Sequence, residues 1–369
     1  MRRLVICLVL ITLSVSVSNT QKTVRSLNAQ NKLFIITLDG FRWEEMYRGA
    51  DSAIITDPES NTDTSLAKAL YWDTSADQRR KKLLPFCWSV IARQGELFGN
   101  RDYGNRVNVA NPYALSYPGY SELLTGDVDY TIYGNDKTRN SNKNVLQLLN
   151  KSEAYAGKVA AFTSWDVFPY ILNDKRSGIY VNSDVDTIKF KSPQLDLIND
   201  IQFLTTRPIG VRPDVLTYIA GREYLKAYKP KVLYIAFDET DDFAHGGEYD
   251  QYLKSAHAED GMIKDLWNTL QSMPQYKGKT SMIVATDHGR GDQNKDQWRD
   301  HGQKVPDASQ IWLAVIGPDT RALGEVKDSE QLYQRQLATT IAALLGLNFK
   351  PEHEVMDPIQ SIVFAKSVW

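Results

Sequence analysis

The sequence predicts an α/β fold with a mainly parallel central sheet and helices on both faces. Two observations carry this. Short apolar, β-branched runs recur at Lys32–Thr37 (KLFIIT), Lys158–Thr163 (KVAAFT), Lys231–Phe237 (KVLYIAF) and Thr280–Thr286 (TSMIVAT). They are continuously hydrophobic rather than alternating, the pattern of strands buried on both faces. Between and after them lie segments of helical pattern, Gln78–Gly95, Pro213–Tyr228, Glu248–Met273 and Glu330–Leu345. Strands alternating with helices build a parallel sheet.

Taken in order, residues 1–18 read as a secretory signal peptide: Arg2-Arg3, the apolar Leu4–Ile11, then a segment ending in Ser16-Val17-Ser18. The apolar run is short of the ~20 residues that span a bilayer. The expectation is a secreted or periplasmic chain with no transmembrane helix in its mature form. Cleavage would remove Cys7 and leave Cys87 as the only cysteine, so stability has to come from a core rather than a disulfide. Residues 27–369 read as a single domain with an irregular insertion around 42–80.

Lys32–Thr37 leads into Asp39, a carboxylate at a strand end. Gln78–Gly95 reads as one helix, and Phe98–Val109 as strand and loop. Then comes NPYALSYPGYSELLTG, Asn111–Gly126. Pro118 fits a first helical turn, which puts Ser116 at the N-cap or just outside it. Free N–H groups and the positive end of the helix dipole suit an anion held beside the serine oxygen. Taken alone, a serine there is a cap.

Thr131–Asn144 is an Asn-rich loop in which Asn135 is the candidate amide donor to an oxyanion. The strand at 158–163 runs into Ser164-Trp165-Asp166, and Lys175 and Arg176 follow as possible phosphate contacts. Residues 177–212 lack periodicity. The strand at 231–237 ends in Asp238–His245, the strand at 280–286 in Asp287-His288-Gly289, and His301-Gly302 precedes a last strand, Ile311–Gly317.

At 42% hydrophobic and 24% charged, the 369-residue chain has a globular composition. A net charge of -2 gives no general attraction to nucleic acid or acidic membranes, and no nucleic-acid-binding surface is evident. Any anionic ligand must be handled locally.

Of the five histidines, His245, His288 and His301 lie just beyond expected strand ends, accompanied by Asp39, Asp241 and Asp287. Parallel strands bring their C-terminal ends to one edge, so these side chains should converge. Imidazole plus carboxylate is a ligand set for zinc or a similar borderline ion, whereas calcium and magnesium sites are dominated by oxygen. Six such groups and a serine oxygen suit two metals. His257 and His353 read as structural.

Ser-Tyr-Pro-Gly followed by Leu-Leu-Thr-Gly, with Asp241-x-x-x-His245, Asp287-His288-Gly289 and His301-Gly302, resembles the alkaline phosphatase superfamily, especially its nucleotide pyrophosphatase/phosphodiesterase and related phosphatase branch. The match runs from Asp39 to His301 and onward into the last strand. The resemblance implies an alkaline phosphatase-like fold and two divalent ions, zinc foremost. It implies one ion held by Asp241, His245 and His301 and the other by Asp39, Asp287 and His288, with Ser116 as the shared nucleophile and Asn135 in the place of the phosphoryl-binding Asn. The implied activity is hydrolysis of a small-molecule phosphate ester, monoester or diester, through a phosphoserine.

Sulfatases share the fold, and Ser116-Tyr117-Pro118 is similar to the start of their maturation signal. Their Arg, however, is Tyr120 here, and their paired Asp-Asp is Asp39-Gly40. A non-catalytic secreted binding protein of the same fold is a further alternative, opposed by the complete ligand set. Some related phosphatases carry Lys-x-Arg where this chain has Ser164-Trp165-Asp166; Lys175, Arg176 and Arg42 are the remaining candidates for that positive charge.

Overall fold

The computed structural model describes residues 31–189, 193–205 and 210–363; the expected signal peptide lies outside the described residues. The strands are β1 (Lys32–Leu38), β2 (Glu96–Phe98), β3 (Arg106–Asn108), β4 (Val159–Thr163), β5 (Tyr180–Ser183), β6 (Val232–Phe237), β7 (Thr280–Ala285), β8 (Gln310–Ile311), β9 (Leu313–Ile316), β10 (Gly324–Glu325) and β11 (Gln331–Tyr333). The principal helices are α1 (Trp43–Arg48), α2 (Thr64–Tyr71), α3 (Ala76–Leu83), α4 (Ser116–Thr125), α5 (Val145–Lys151), α6 (Pro193–Leu204), α7 (Asp214–Tyr228), α8 (Glu239–His245), α9 (Tyr249–Ser272) and α10 (Leu337–Leu344).

Eight strands form the main sheet in the order β10-β2-β9-β7-β1-β6-β4-β5, and β9 runs antiparallel to both its neighbours. Side chains of a strand alternate between faces, so each strand feeds two cores. Phe34, Ile36 and Leu38 of β1 join Trp43, Met46, Leu83, Tyr252 and Leu266 on one side. Leu33 and Ile35 join Tyr120, Leu123, Leu146 and Ile341 on the other. Each fully buried side chain of this kind contributes about 1.5–3 kcal/mol over exposure. That burial carries the fold without a disulfide, and Cys87 is a free, buried thiol. Among the described residues, no helix is long and apolar enough to cross a membrane.

Five local expectations need correction. Residues 42–80 are not irregular: α1, α2 and the start of α3 lie there, and Trp43, Met46, Tyr47, Ile54, Ile55 and Tyr71 are core residues. Helices of six and eight residues are too short to show a clear period. The helix expected over 78–95 is broken around Pro85, which lacks an N–H and clashes with the preceding turn. The next two backbone N–H groups, of Phe86 and Cys87, donate instead to Asp260 Oδ2 and Oδ1 at 2.7 and 2.8 Å. Residues 177–212 contain β5 and α6. Finally, the helix expected from Glu330 begins only at Leu337, because Gln331–Tyr333 is captured as β11 by pairing with β3 in a second sheet, β11-β3-β8. Ile311–Gly317 likewise divides at Trp312, between β8 in that second sheet and β9 in the main one.

The central order β7-β1-β6 positions the site. Leu38 is in register with Phe237, and Thr37 with Ala285, so the three strands end at one edge.

Asp260 gives a pH test of this packing. Burial pushes its carboxyl up to about 6, against the backbone hydrogen bonds from Phe86 and Cys87, which act to lower it. The folded state therefore holds more protons than the unfolded chain between about pH 4 and 6, and stability from this group falls as pH rises through that window. In urea unfolding, the stability of wild type relative to Asp260→Asn should drop by roughly 3 kcal/mol between about pH 4 and pH 7. A pH-independent difference would show that Asp260 titrates normally in the folded protein.

Candidate active site

Asp39 leaves β1 and is followed by Gly40 at φ 55°, a left-handed turn. A Cβ at Gly40 would sit 2.8 Å from Asp241 Oδ1 and 2.9 Å from Arg290 Nη2. Glycine thus leaves room for the groups that meet there, and its N–H donates to Asp287 Oδ1 at 3.0 Å.

Ser116 is the first residue of α4, and the N-cap is Leu115, whose extended backbone (φ -122°, ψ 158°) offers no side-chain cap. The serine is therefore one position further into the helix than the sequence suggests, and its hydroxyl is not spent on capping. The approach to it is braced. Asn111 Oδ1 accepts the N–H groups of Tyr113 and Ala114, and buried Glu122 accepts from Ala110 N, Asn111 N, Asn111 Nδ2 and Arg335 N. Gly119 brings the helix against the end of β7, where a Cβ would lie 2.5 Å from the Asp287 carbonyl oxygen.

Around Ser116 the structure gathers all six expected Asp and His side chains. Ser116 Oγ, 5% exposed as a residue, is 3.3 Å from His288 Nε2 and 3.4 Å from Asp39 Oδ1. His288 Nε2 is 3.3 Å from Asp39 Oδ1, 3.5 Å from Asp287 Oδ2 and 3.9 Å from Asp241 Oδ1. Two compact ligand groups share it: Asp39, Asp287 and His288, and Asp241, His288 and His301. His245 joins the second from the more exposed side, with Nε2 at 2.9 Å from His301 Nε2 and 3.2 Å from Asp241 Oδ2. Asp241 and His245 are four apart on α8, hence on one face.

The charge states suit cation binding. Burial, then the neighbouring carboxylates, raise Asp39 and Asp287 well above the usual range, and Asp287 Oδ2 is buried with no hydrogen-bond donor. Burial lowers His288 to about 4 and holds His301 well below the usual imidazole range, so both rings are neutral near pH 7. Their Nδ1 atoms face the carbonyl oxygens of Gly289 and Ala114 at 3.0 and 2.9 Å, which as Nδ1–H donors leaves Nε2 as the free lone pair. Metal-ligating histidines are commonly oriented this way. An orphaned carboxylate oxygen, crowded anions and oriented neutral imidazoles fit a divalent ion.

Of the remaining expected residues, Asn135 lies beside α4, its Oδ1 accepting the Tyr117 N–H at 3.0 Å. Arg42 is buried and committed to Glu45 through two hydrogen bonds and to the Gly291 carbonyl through a third, which removes it as a substrate contact. Arg176 donates to Gln147 and to the Ser141 and Asn142 carbonyls, and Lys175 is exposed on a short helical turn, Asp174–Ser177.

Three contributors escaped sequence reasoning. Arg290, directly after Asp287-His288-Gly289, donates to Asp241 Oδ1 and to the carbonyls of Gly40, Asp241 and Arg299. Burial disfavours charge on Asp241, but Arg290 and then His245 outweigh it and hold this carboxyl well below the usual range. Tyr120 donates to Asp39 Oδ2 at 2.9 Å. Its position four residues after Ser116, on the same helix face, was the available signal. Glu122 is the third.

The mainly parallel sheet with this edge is an alkaline phosphatase-like fold. The structure is similar to the alkaline phosphatase PafA (TM-score 0.59, 11% identity, 90% of this chain and 99% of that one). It is also similar to a putative sulfatase from Bacteroides thetaiotaomicron (0.57, 12%, 92% and 75%) and to the lipoteichoic acid synthase LtaP from Listeria monocytogenes (0.55, 13%, 86% and 72%). Identities this low carry the fold alone. The model of the type I phosphodiesterase / nucleotide pyrophosphatase family matches residues 55–360, and the chain belongs to that family. No curated protein matches the sequence significantly.

The close approach at Gly119 is testable. Gly119→Ala forces a methyl group against the Asp287 backbone, and overpacking of this kind costs about 1–3 kcal/mol. Urea unfolding should show that loss; an unchanged midpoint would mean that α4 withdraws freely from β7.

Proposed function

We propose that this protein is an exported, zinc-dependent phosphodiesterase that works through a phosphoserine at Ser116. The observation that carries the reading is Ser116 Oγ at a helix start, between two Asp/His groups that share His288. The N-terminal composition supports export. Divalent ions bound by these groups, zinc by the imidazole-rich donor set, would supply Lewis acidity and a hydroxide at neutral pH.

The chain's own residues divide the remaining work. Ser116 Oγ forms a bond to phosphorus as the bond to the departing alkoxide breaks in line. Water then displaces Ser116 and releases the phosphate product. In the first turn of α4 the Tyr117 N–H is taken by Asn135, Pro118 has no N–H and the Gly119 N–H donates to the Leu115 carbonyl, so the Ser116 N–H is the backbone donor that would meet a non-bridging oxygen. Asn135, whose Oδ1 is taken by Tyr117 N–H, keeps its amide hydrogens for the same purpose. Tyr120 and Gly40 orient Asp39 and Asp287 through single hydrogen bonds.

Diesters are favoured over monoesters by charge. A monoester brings two negative charges, a diester one. After β4 stands Ser164, whose hydroxyl is turned to Asp214 and Thr217, and Asp166, which pairs with Lys137. The buried guanidiniums Arg42 and Arg290 are held by Glu45 and Asp241.

The test is turnover of bis-p-nitrophenyl phosphate, p-nitrophenyl phosphate and p-nitrophenyl sulfate, with metal analysis and mass spectrometry of the Ser116 peptide. The diester should be turned over fastest, chelation should abolish activity and zinc restore it. Ser116→Ala should lower kcat by about 10³-fold or more. Faster sulfate hydrolysis or formylglycine at position 116 would favour the sulfatase reading, and a metal-free, inert wild type the binding-protein reading.

A further inference from the structure

Glu259 lies inside α9, fully buried, and neither of its carboxylate oxygens receives a hydrogen bond from a donor group. An ionised carboxylate in such a place costs several kcal/mol. Its hydrogen-bonding neighbour is a second fully buried carboxyl, Asp214, at the first position of α7.

Asp214 is almost saturated with donors. Its Oδ1 accepts the Ser164 hydroxyl at 2.5 Å, and the Asp238 N–H bridges Oδ1 and Oδ2 at 3.0 and 3.2 Å. Oδ2 also accepts the Glu239 N–H at 3.0 Å. In return, the Asp214 N–H donates to Glu239 Oε1 at 3.1 Å, while Glu239 Oε2 accepts from Ser255 at 3.2 Å. A carboxylate offers about four lone-pair positions. Three donors make four contacts to it, the Asp238 N–H being shared between the two oxygens, so a second carboxyl can hydrogen-bond to Asp214 only if it brings a proton.

We infer that Glu259 is a neutral acid whose O–H donates to Asp214, and that this shared-proton pair is the positioning device for α8, the helix that carries Asp241 and His245. The Asp238 and Glu239 N–H groups are at the start of α8 and have no partner within that helix. Asp214 holds them from α7, and Glu259 holds Asp214 from α9. Asp241 is two residues into α8 beyond Glu239, so a turn of its first residues displaces both expected ligands. Charges acting on Glu259 agree: Asp214 from α7, Glu239 from α8 and Asp39 from the end of β1 are all acidic, and with burial they favour its protonated form.

The positioning role rests on the metal-binding reading of Asp241 and His245, whereas the shared proton does not. The test uses the wild-type protein, Glu259→Gln and Glu259→Met. In the chelated protein at neutral pH, the infrared difference between wild type and Glu259→Gln should contain the carbonyl stretch of a protonated carboxylic acid. Titration with zinc alone should show Glu259→Gln, which keeps a donor, within about threefold of wild type. Glu259→Met, which lacks one, should bind zinc roughly 10–100-fold more weakly. Absence of the acid band overturns the shared proton. Equal affinity of Glu259→Met and wild type, or a Glu259→Gln loss as large as that of Glu259→Met, overturns the positioning role. If Glu259→Met does not fold, the acid band and the Glu259→Gln affinity decide. Wild type that binds no zinc overturns the metal reading and with it the positioning role, leaving the shared proton to the infrared result.

Discussion

Like charges repel, and burial in low dielectric makes that repulsion several-fold stronger than in water. The edge where β1, β6 and β7 end nonetheless brings Asp39, Asp241 and Asp287 around one imidazole. Much of the surrounding structure can be read as a response to that constraint. Arg290 takes the charge of Asp241, Tyr120 and the Gly40 N–H each take one oxygen of Asp39 and Asp287, and the rings of His288 and His301, kept neutral by burial, stack 3.9 Å apart without adding charge. One carboxylate oxygen, Asp287 Oδ2, is left over. Folding has assembled a crowded anionic edge with candidate ligands for a divalent ion.

The acidic residues farther from that edge follow different rules. Glu122 is buried but satisfied by four N–H groups, so it works as a clamp between the loop before Ser116 and the backbone that follows β11. This is the use of the small second sheet: β3 and β11 pair in parallel, and their exits are tied together by one carboxylate. Glu259, with no donor at all, belongs to a third kind.

Much of this was legible in the sequence. Continuous apolar runs mark buried strands because β1, β6 and β7 face a core on both sides, and Asp or His at their ends marks the functional edge. Spacing on α8 was legible for the same local reason. What stayed hidden depends on partners distant in the chain. Arg290 looks like any arginine until Asp241 is seen beside it, and Glu122 like any helix carboxylate until Ala110, Asn111 and Arg335 turn their N–H groups to it. β11 carried a helical pattern but was taken by β3, a case of pairing overriding local preference. Pro85 is the one sign in the sequence that the helix over 78–95 breaks, and the helical spacing of the apolar residues on both sides masks it.

The lone thiol of the described residues carries a last consequence. Cys87 is 6% exposed, and burial first, then the nearby Asp260, keeps it protonated and unreactive. Among the described residues there is no second cysteine to pair with it, so no disulfide links the described elements. The packing of the described elements therefore draws on buried apolar surface and not on a disulfide.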